Sequence, residues 1–222
     1  GKIGYDGVEF AGFFDASSKE LKHVLDNSGL EACGSHTGIN LLTDRLEEVI
    51  EYNIEINNSY IICPGIPEEM RDSADAWKRT ADLFNKIGMK CKMNGIQFGY
   101  HNHWIEFQKF NGEYGYDILA QNTQPDLVCL QIDTYWVEYA GLKSVDFMKK
   151  YPDRLPLLHI KDMKSYEEKK CTEIGKGVMD FKEITSLGKK YGTIWYIVEQ
   201  ENFDIPYMQS IEESLKYLRS IL

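Results

Sequence analysis

The segment Gly99–Phe107 reads GYHNHWIEF and directs the interpretation of the whole chain. It continues an apolar run that starts at Ile96, and it contains two imidazoles and one carboxylate. Because side chains alternate along a strand, His101 and His103 would share one strand face, and Glu106 would follow the strand end. The segment predicts a buried strand whose end carries acid–base or metal-binding groups. The alternative is a pair of histidines that are hydrogen-bonded by neighbouring loops.

The same pattern, a short apolar run followed by a polar side chain, recurs along the chain. Segments with helical periodicity separate the runs. Such alternation, without antiparallel hairpins, is typical of a parallel sheet with right-handed crossovers. The predicted strands are Gly7–Phe10, Glu31–His36, Tyr60–Cys63, Ile96–His103, Val128–Asp133, Leu155–Lys161 and Thr193–Glu199.

Apolar stripes predict the helices between these strands. A long helix is expected to start after Pro67 and to end near Gly95, and the last helix carries an apolar stripe from Ile211 to Leu222. Thr43 or Asp44 is expected to cap an earlier helix. The stripe of that earlier helix consists of Leu41, Leu42, Leu46, Val49 and Ile50.

Seven strand–helix units fit an open doubly wound sheet, whereas a closed barrel has eight units in about 250 residues. The opening residues Gly1–Gly7 resemble a helix end that leads into a strand. We therefore expect that one leading unit of roughly 25 residues is absent from this chain. No linker rich in Pro, Gly or Ser divides the sequence, so we predict a single domain over residues 1–222.

Composition excludes several classes of partner. The chain of 222 residues has a formal net charge of −10, which repels a phosphate backbone, so we predict no nucleic-acid partner. No apolar run approaches the roughly 20 residues that span a bilayer, so we predict no membrane partner. The five cysteines form no CxxC pair, which predicts reduced thiols in a cytoplasmic protein.

Four of the predicted strands lead into ligand types that divalent metal ions use. Three carboxylates and one imidazole from separate strands suit Mn²⁺, Co²⁺, Mg²⁺ or Zn²⁺, and a buried carboxylate without such an ion would be costly. Any one of these groups could equally be a hydrogen-bonded residue where core meets solvent, but the set favours one bound divalent metal ion. The candidate ligands are Glu106, Asp133, His159 and Glu199, and Glu9 and His36 stand on two further strands.

Two shorter motifs carry weaker signals. Gly175–Gly177 precedes a helix expected near Asp180 and lacks the spacing of nucleotide-binding loops, so we favour a plain loop over a phosphate site. Cys63 precedes Pro64 at a strand end, and we favour a small core residue over a nucleophile.

These motifs together resemble the sugar phosphate isomerase/epimerase family, the xylose isomerase-like TIM barrels, in its His-Asn-His branch. The resemblance runs nearly end to end and implies an α/β, TIM-type parallel (β/α) barrel with seven strands in this chain. Family members usually carry one more strand and helix before the first matching segment. The matching segments are residues 4–10, 35–38, 100–103, 131–134, 159–162, 175–177 and 198–200.

The resemblance implies one divalent metal ion held by Asp133, His159, Glu199 and one group from the 101–106 run. Ketose epimerases have a strand glutamate where this chain has His101, and Glu106 is the expected substitute. They also have a histidine where this chain has Trp136. Endonuclease-like members need extra histidines for three zinc ions. Cys63 and Trp136 stand at those places here, which argues against DNA repair.

The resemblance and the residues together predict a metal-dependent isomerase or epimerase that removes a proton next to the carbonyl of a small keto-sugar or polyol. The expected proton-transfer residues are Glu199, Glu106 and His101. The expected substrate contacts are His36, His103, Trp136 and Lys161, with Phe13 and Trp104 as further wall residues.

Three alternatives stay open. One is a lyase or dehydratase, and another is a hydrolase, acting on inososes or 3-keto-glycosides. The third is a truncated, non-catalytic barrel. The missing unit could be supplied by a partner subunit or by a domain swap with a second copy of the chain, or the barrel could stand partly open.

Overall fold

The computed structural model describes residues 1–222, which form two compact units. The first unit comprises Gly1–Asn102 and Glu106–Leu130, and the second comprises His103–Ile105 and Gln131–Leu222.

Four parallel strands form the sheet of the first unit and pair in chain order. They are β1 (Gly7–Phe10), β2 (Glu31–His36), β3 (Tyr60–Cys63) and β4 (Gln97–His101). A short antiparallel pair follows, β5 (Lys109–Phe110) with β6 (Glu113–Tyr114). The helices are α1 (Ser18–Ser28), α2 (Ile39–Asp44), α3 (Leu46–Glu55), α4 (Ala74–Met93) and α5 (Gly115–Asn122).

Helix α4 supplies the largest part of the first unit's core. Its buried side chains recur every three or four residues, so they lie on one face of the helix. The Phe84 ring packs edge-on against Phe98 of β4, with centroids 5.2 Å apart. Gly88 allows close approach, because a Cβ there would lie 2.4 Å from the Leu127 carbonyl oxygen. This packing holds β4, and therefore His101 at its end, in a fixed position.

The second unit contains three longer parallel strands. Strand β8 pairs on one side with β7 and on the other with β11. The parallel strands are β7 (Val128–Asp133), β8 (Leu157–Ile160) and β11 (Trp195–Val198), and β7 belongs to this unit from Gln131 onward. A short antiparallel pair, β9 (Asp162–Met163) with β10 (Cys171–Thr172), lies between β8 and β11 in the chain. The helices are α6 (Thr134–Tyr139), α7 (Ser144–Lys150), α8 (Phe181–Lys190) and α9 (Tyr207–Ile221).

All seven predicted strands are present, and the predicted bounds of β1, β2, β3 and β7 are confirmed. The other three are one or two residues shorter at each end than expected. Strand β4 ends at His101, so the expectation that His103 continues the same strand face is wrong. Helix α8 starts next to Asp180, as expected, and Asp180 caps it by accepting the Glu183 N–H at 3.0 Å.

Other details differ from the sequence prediction. Two short antiparallel pairs occur, although none was expected. The stripe from Leu41 to Ile50 spans two helices, because the backbone leaves helical geometry at Arg45 with φ −138°. The Thr43 hydroxyl does not cap a helix but donates to the Asn40 carbonyl at 3.0 Å.

The long helix begins later than expected. Ser73 caps α4 by accepting the Ala76 N–H at 3.1 Å, and a separate 3₁₀ turn covers Glu68–Met70. Residues 1–6 contain no helix, so the expected helix end is also absent there.

The five cysteines are buried and none forms a disulfide. No helix has both the length and the apolar character needed to span a bilayer.

Candidate metal centre

Three metal-type side chains from three parallel strands meet in the second unit. Asp133 ends β7, His159 lies on β8, and Glu199 directly follows β11. Their ligand atoms lie within 4.8 Å of one another, and His159 Nδ1 is 3.0 Å from Glu199 Oε2. The sequence expectation that these three groups lie at the same end of the sheet is therefore confirmed.

Strand register explains why these residues meet. Asp133 lies opposite His159 across the β7–β8 pair, and Ile197 lies opposite His159 across the β8–β11 pair. Glu199 is two residues beyond Ile197, so the two-residue period of an extended chain returns its side chain to the same face. In-register parallel strands thus bring two carboxylates and one imidazole together.

Asp133 is also the N-cap of α6. Its Oδ1 accepts the Trp136 N–H at 3.0 Å, which fixes the orientation of the carboxylate. The Thr134 hydroxyl donates to the His159 carbonyl oxygen at 3.0 Å and ties the two strand ends together. Contacts of this kind orient the ligands of metal sites.

The Lys161 ammonium lies among these carboxylates. Its Nζ is 2.8 Å from Glu201 Oε1, 3.1 Å from Glu199 Oε2 and 3.7 Å from Asp133 Oδ2. The side chain has no exposed surface. The substrate contact that the sequence suggested for Lys161 stays a prediction.

Burial and charge shift the pKa values of the cluster in different directions. Burial raises the pKa of Asp133 to about 6, although Lys161 and His159 act to lower it. Burial also acts to raise the pKa of Glu199, but His159 and Lys161 outweigh it and lower that pKa to about 2. Burial acts to lower the pKa of Lys161, yet the three carboxylates outweigh it and hold that pKa above its usual range.

The donor set fits a divalent metal ion. Three carboxylates (those of Asp133, Glu199 and Glu201) face one ammonium, which leaves a net charge of −2 when His159 is neutral. A divalent cation balances that charge, and mixed carboxylate–imidazole ligation suits Mn²⁺, Co²⁺, Mg²⁺ and Zn²⁺. The second unit therefore carries a His/Asp/Glu group suited to holding such an ion.

The loop Gly175–Gly177 is held by a protein carboxylate. Asp162 Oδ2 accepts the N–H groups of Gly175 and Gly177 at 2.8 and 2.9 Å, and its Oδ1 accepts the Met163 N–H at 2.8 Å. A Cβ at Gly177 would lie 2.2 Å from the Met163 carbonyl oxygen, so the turn requires glycine there. Because Asp162 already binds these amides, the phosphate-site alternative is not supported and the plain-loop interpretation holds.

Three more of the predicted residues lie in the first unit. His36 Nε2 is 3.1 Å from Glu9 Oε2, and the His36 and His101 ring centroids are 4.9 Å apart. Gly34 allows the Glu9 carboxylate to lie over β2, because a Cβ there would be 2.4 Å from Glu9 Oε1. His36 and Phe13 also border a cavity of about 550 Å³.

Glu106, the third of them, is fully buried beside a tyrosine that the sequence analysis missed. The Tyr100 hydroxyl donates to Glu106 Oε1 at 2.6 Å. Burial and the neighbouring Glu106 raise the pKa of Tyr100 well above its usual range, so the hydroxyl keeps its proton. The available signal was a tyrosine inside a buried strand, since a buried hydroxyl usually has a hydrogen-bond partner.

Cys63 is buried, and burial raises the pKa of its thiol to about 12. A nucleophilic cysteine needs a thiolate, so the interpretation of Cys63 as a core residue is supported.

Aromatic side chains surround α6 in the second unit. The Trp136 ring lies 5.6 Å from the His103 ring and 5.1 Å from the Tyr139 ring, measured between centroids. Trp104 lies 6.4 Å from Tyr139 and is half exposed. This side of the second unit thus offers aromatic faces next to Asp133, the residue that caps α6.

Known proteins match this chain over most of its length. The family model described as xylose isomerase-like TIM barrel matches residues 2–221. An inosose dehydratase from Lacticaseibacillus casei is 25% identical over 236 residues, which cover 89% of this chain and 78% of that enzyme. The predicted fold class, a TIM-type parallel barrel with seven strands in this chain, is confirmed by the family match.

Solved structures agree with the family match. A sugar phosphate isomerase/epimerase from Parabacteroides distasonis superposes with a TM-score of 0.84 and 28% identity, covering 99% of this chain and 85% of that chain. The 3-keto-D-glucoside 4-epimerase from E. coli has a TM-score of 0.75 and 17% identity, covering 99% and 90%, and it shows the shared fold.

Proposed function

Because the chain belongs to the xylose isomerase-like TIM barrel family, we propose that it is a metal-dependent enzyme that removes a proton next to the carbonyl of a small keto-sugar or polyol. The observation that carries the proposal is the meeting of Asp133, His159 and Glu199 at the carboxyl ends of three parallel strands. Active sites of parallel barrels lie at this end of the strands.

Asp133, His159 and Glu199 would hold the metal ion, and Glu106 is the proposed fourth ligand. When bound, a divalent ion supplies Lewis-acid stabilisation of the negative charge that develops on the carbonyl oxygen. Mn²⁺, Co²⁺, Mg²⁺ and Zn²⁺ all suit the donor set.

The electrostatics separate a ligand role from a base role. A general base works best when its pKa lies near the working pH, whereas a ligand must be deprotonated. The pKa of Glu199, about 2, therefore favours the ligand role. His101 and Glu106 remain proposed proton-transfer residues beside Glu199.

Tyr100 positions Glu106 for either role. Its hydroxyl donates to one carboxylate oxygen at 2.6 Å inside the core of the first unit, which restrains rotation of the carboxylate and keeps water from that oxygen. A carboxylate held in this way can take up the carbon-bound proton and return it. Return of that proton to the neighbouring carbon, with transfer of the hydroxyl proton to the carbonyl oxygen, gives an isomer. An epimer requires a second acid, for which His101 is the proposed group, to deliver a proton to the opposite face while Glu106 keeps the proton it removed.

Substrate contacts are proposed for His36, His103, Trp136 and Lys161. Trp136 and Tyr139 offer faces on which the C–H side of a sugar can stack, and His103 lies beside Trp136. His36 borders a cavity of about 550 Å³, which is within the usual range for small-ligand sites.

Dehydration is the second candidate reaction. The observation that favours it is the set of relatives named inosose dehydratase, one of which matches 89% of this chain. Dehydration and epimerisation both begin with removal of the proton next to the carbonyl. They diverge afterwards, when a hydroxyl group leaves from the next carbon or the proton returns.

One experiment tests both candidates. Protein stripped with EDTA and reloaded with Mn²⁺ is incubated with ketoses and inososes in deuterated water, and the products are followed by NMR. We expect deuterium at the carbon next to the carbonyl, in an epimer or in an unsaturated product, and no exchange in EDTA. Transfer of the substrate's own hydrogen without solvent label would instead indicate a hydride shift and contradict the proposal.

The same panel covers the remaining alternatives. Cleavage of aryl 3-keto-glycosides would support the hydrolase, and no turnover of any substrate would support the non-catalytic barrel. The single-domain organisation over 1–222, the cytoplasmic location, the absence of nucleic-acid and membrane partners, and assembly with a second copy or a partner stay predictions.

A further inference from the structure

Lys161 is enclosed on two sides in the second unit. On one side its Nζ lies 2.8 Å from Glu201 Oε1 and 3.1 Å from Glu199 Oε2, with Asp133 Oδ2 at 3.7 Å. On the other side, Nζ lies 5.1 Å from the Trp136 ring centroid and 5.3 Å from that of Tyr135. Both distances are short enough for cation–π attraction.

A fully buried lysine at this place needs a specific reason. Burying an ammonium is costly unless it is paired, so lysine is rarely found without exposed surface. Here the pairing is with Glu199 and Asp133, two of the residues proposed to hold the metal ion. An ammonium and a divalent cation on the same carboxylates repel each other.

Glu201 differs from the other two partners because it is not part of the proposed ligand group. Its Oε1 makes the shortest of the three Lys161 contacts, at 2.8 Å, and its side chain is 45% exposed. Lys161 therefore keeps Glu201 as a partner when Asp133 and Glu199 bind a metal ion.

We infer that Lys161 is a resident counter-cation that neutralises Asp133 and Glu199 in the metal-free protein and competes with the metal ion for them. The inference rests on the proposed metal role of Asp133, His159 and Glu199. Metal binding is then an exchange of cations, in which Lys161 retains Glu201 and the two aromatic faces. The consequence is a weaker affinity for metal and a metal-free protein that stays folded.

The direct test is Lys161→Met, which keeps the length of the side chain and removes the charge. Mn²⁺ affinity is measured by titration calorimetry on EDTA-stripped protein, and the melting temperature is measured with and without Mn²⁺. We expect Mn²⁺ to bind on the order of 10- to 100-fold more tightly, since the repelling charge is gone. We also expect a lower melting temperature without metal and a larger rise when Mn²⁺ is added.

Lys164→Met is the matched control. It removes the same charge three residues away, from a half-exposed side chain whose Nζ lies 3.8 Å from Asp204. An exposed charge is screened by solvent and salt, so we expect Mn²⁺ affinity to change by less than about twofold.

Glu201→Gln tests the exchange of Lys161 for the metal ion in the opposite direction. It also tests the inference if Lys161→Met does not fold. Without Glu201, the ammonium acts on Glu199 and Asp133 alone. We expect Mn²⁺ to bind roughly 3- to 10-fold more weakly. Glu167→Gln, an exposed glutamate in the same unit, is its control and should leave the affinity unchanged.

The outcomes separate this inference from the proposed function. Unchanged or weaker Mn²⁺ binding by Lys161→Met would show that Lys161 supports the ligands rather than competing with the metal. Unchanged or tighter binding by Glu201→Gln would equally contradict the exchange. Failure of the wild-type protein to bind Mn²⁺, Co²⁺ or Zn²⁺ would instead remove the proposed function, and the inference with it.

Discussion

The two units hold their carboxylates in different ways. In the first unit, Glu106 accepts from the neutral Tyr100 hydroxyl and Glu9 pairs with the His36 imidazole. In the second unit, Asp133 and Glu199 lie beside the Lys161 ammonium. A carboxylate bonded by a hydroxyl keeps most of its negative charge, whereas one beside a fixed cation is already partly neutralised. The first arrangement suits proton transfer, and the second suits exchange of one cation for another.

Asp133→Asn is the strongest test of the proposed ligand group, which consists of Asp133, His159 and Glu199. Asparagine still caps a helix, so α6 should form, but the ligand charge is lost. We expect Mn²⁺ affinity to fall by more than about 100-fold, beyond the range seen when only a supporting contact is removed. Calorimetry on stripped protein measures this, and turnover should fall in parallel.

The matched control for this substitution is Asp180→Asn. Asp180 caps α8 in the same way, by accepting the Glu183 N–H at 3.0 Å, and it lies outside the proposed ligand group. We expect Mn²⁺ affinity to stay at the wild-type value. An equal loss in both variants would assign the effect to helix capping and remove Asp133 from the ligand set.

Glu106→Gln tests the proposed fourth metal ligand. If Glu106 is the fourth ligand, Mn²⁺ affinity should fall on the order of 10- to 100-fold. His101→Gln should leave Mn²⁺ affinity unchanged and lower kcat. The reverse pattern would move the ligand role to His101, and a loss of kcat alone in Glu106→Gln would make Glu106 the base.

Asp162→Asn tests the structural carboxylate next to Lys161. Asp162 accepts N–H groups on both oxygens, whereas asparagine offers one acceptor and one N–H₂ group that would face the Gly175 and Gly177 amides. We expect the free energy of unfolding to fall by about 2 kcal/mol, as measured by urea denaturation. Asp204→Asn, at an exposed position in the same unit, should have no measurable effect; if it matches Asp162→Asn, the loop contacts are not the cause.

The strands were predictable from sequence because their apolar runs are continuous. In the run Val128–Ile132 only Gln131 is polar, so both the strand and the place of Asp133 at its end follow from one pattern. The meeting of Asp133, His159 and Glu199 also followed, since parallel strands end at the same edge of a sheet. The two-residue strands were missed because so short a segment shows no period.

The contacts around the cluster were not predictable from sequence. A lysine just after a strand is usually exposed, and only the tertiary structure shows that Glu201 and two aromatic rings enclose Lys161. The Tyr100–Glu106 bond likewise depends on how the chain turns after β4. Arg45 interrupts α2 and α3 through its backbone conformation, although the side-chain pattern continues across it.

Tyr100→Phe is the mildest test of the difference between the hydroxyl-bonded Glu106 and the carboxylates beside Lys161, because it removes one hydroxyl and keeps the ring. The ring packs 5.4 Å from Phe84 and 6.4 Å from Trp77, so the core should remain filled. Loss of the 2.6 Å bond to Glu106 should lower the free energy of unfolding by about 1 kcal/mol.

If Glu106 transfers the proton, the carboxylate also loses its fixed orientation in Tyr100→Phe, so kcat should fall about tenfold while Mn²⁺ affinity changes little. Tyr60→Phe, on the neighbouring strand β3, is the matched control and should leave kcat unchanged. A loss of Mn²⁺ affinity in Tyr100→Phe without loss of kcat would instead mean that Tyr100 orients Glu106 as a metal ligand.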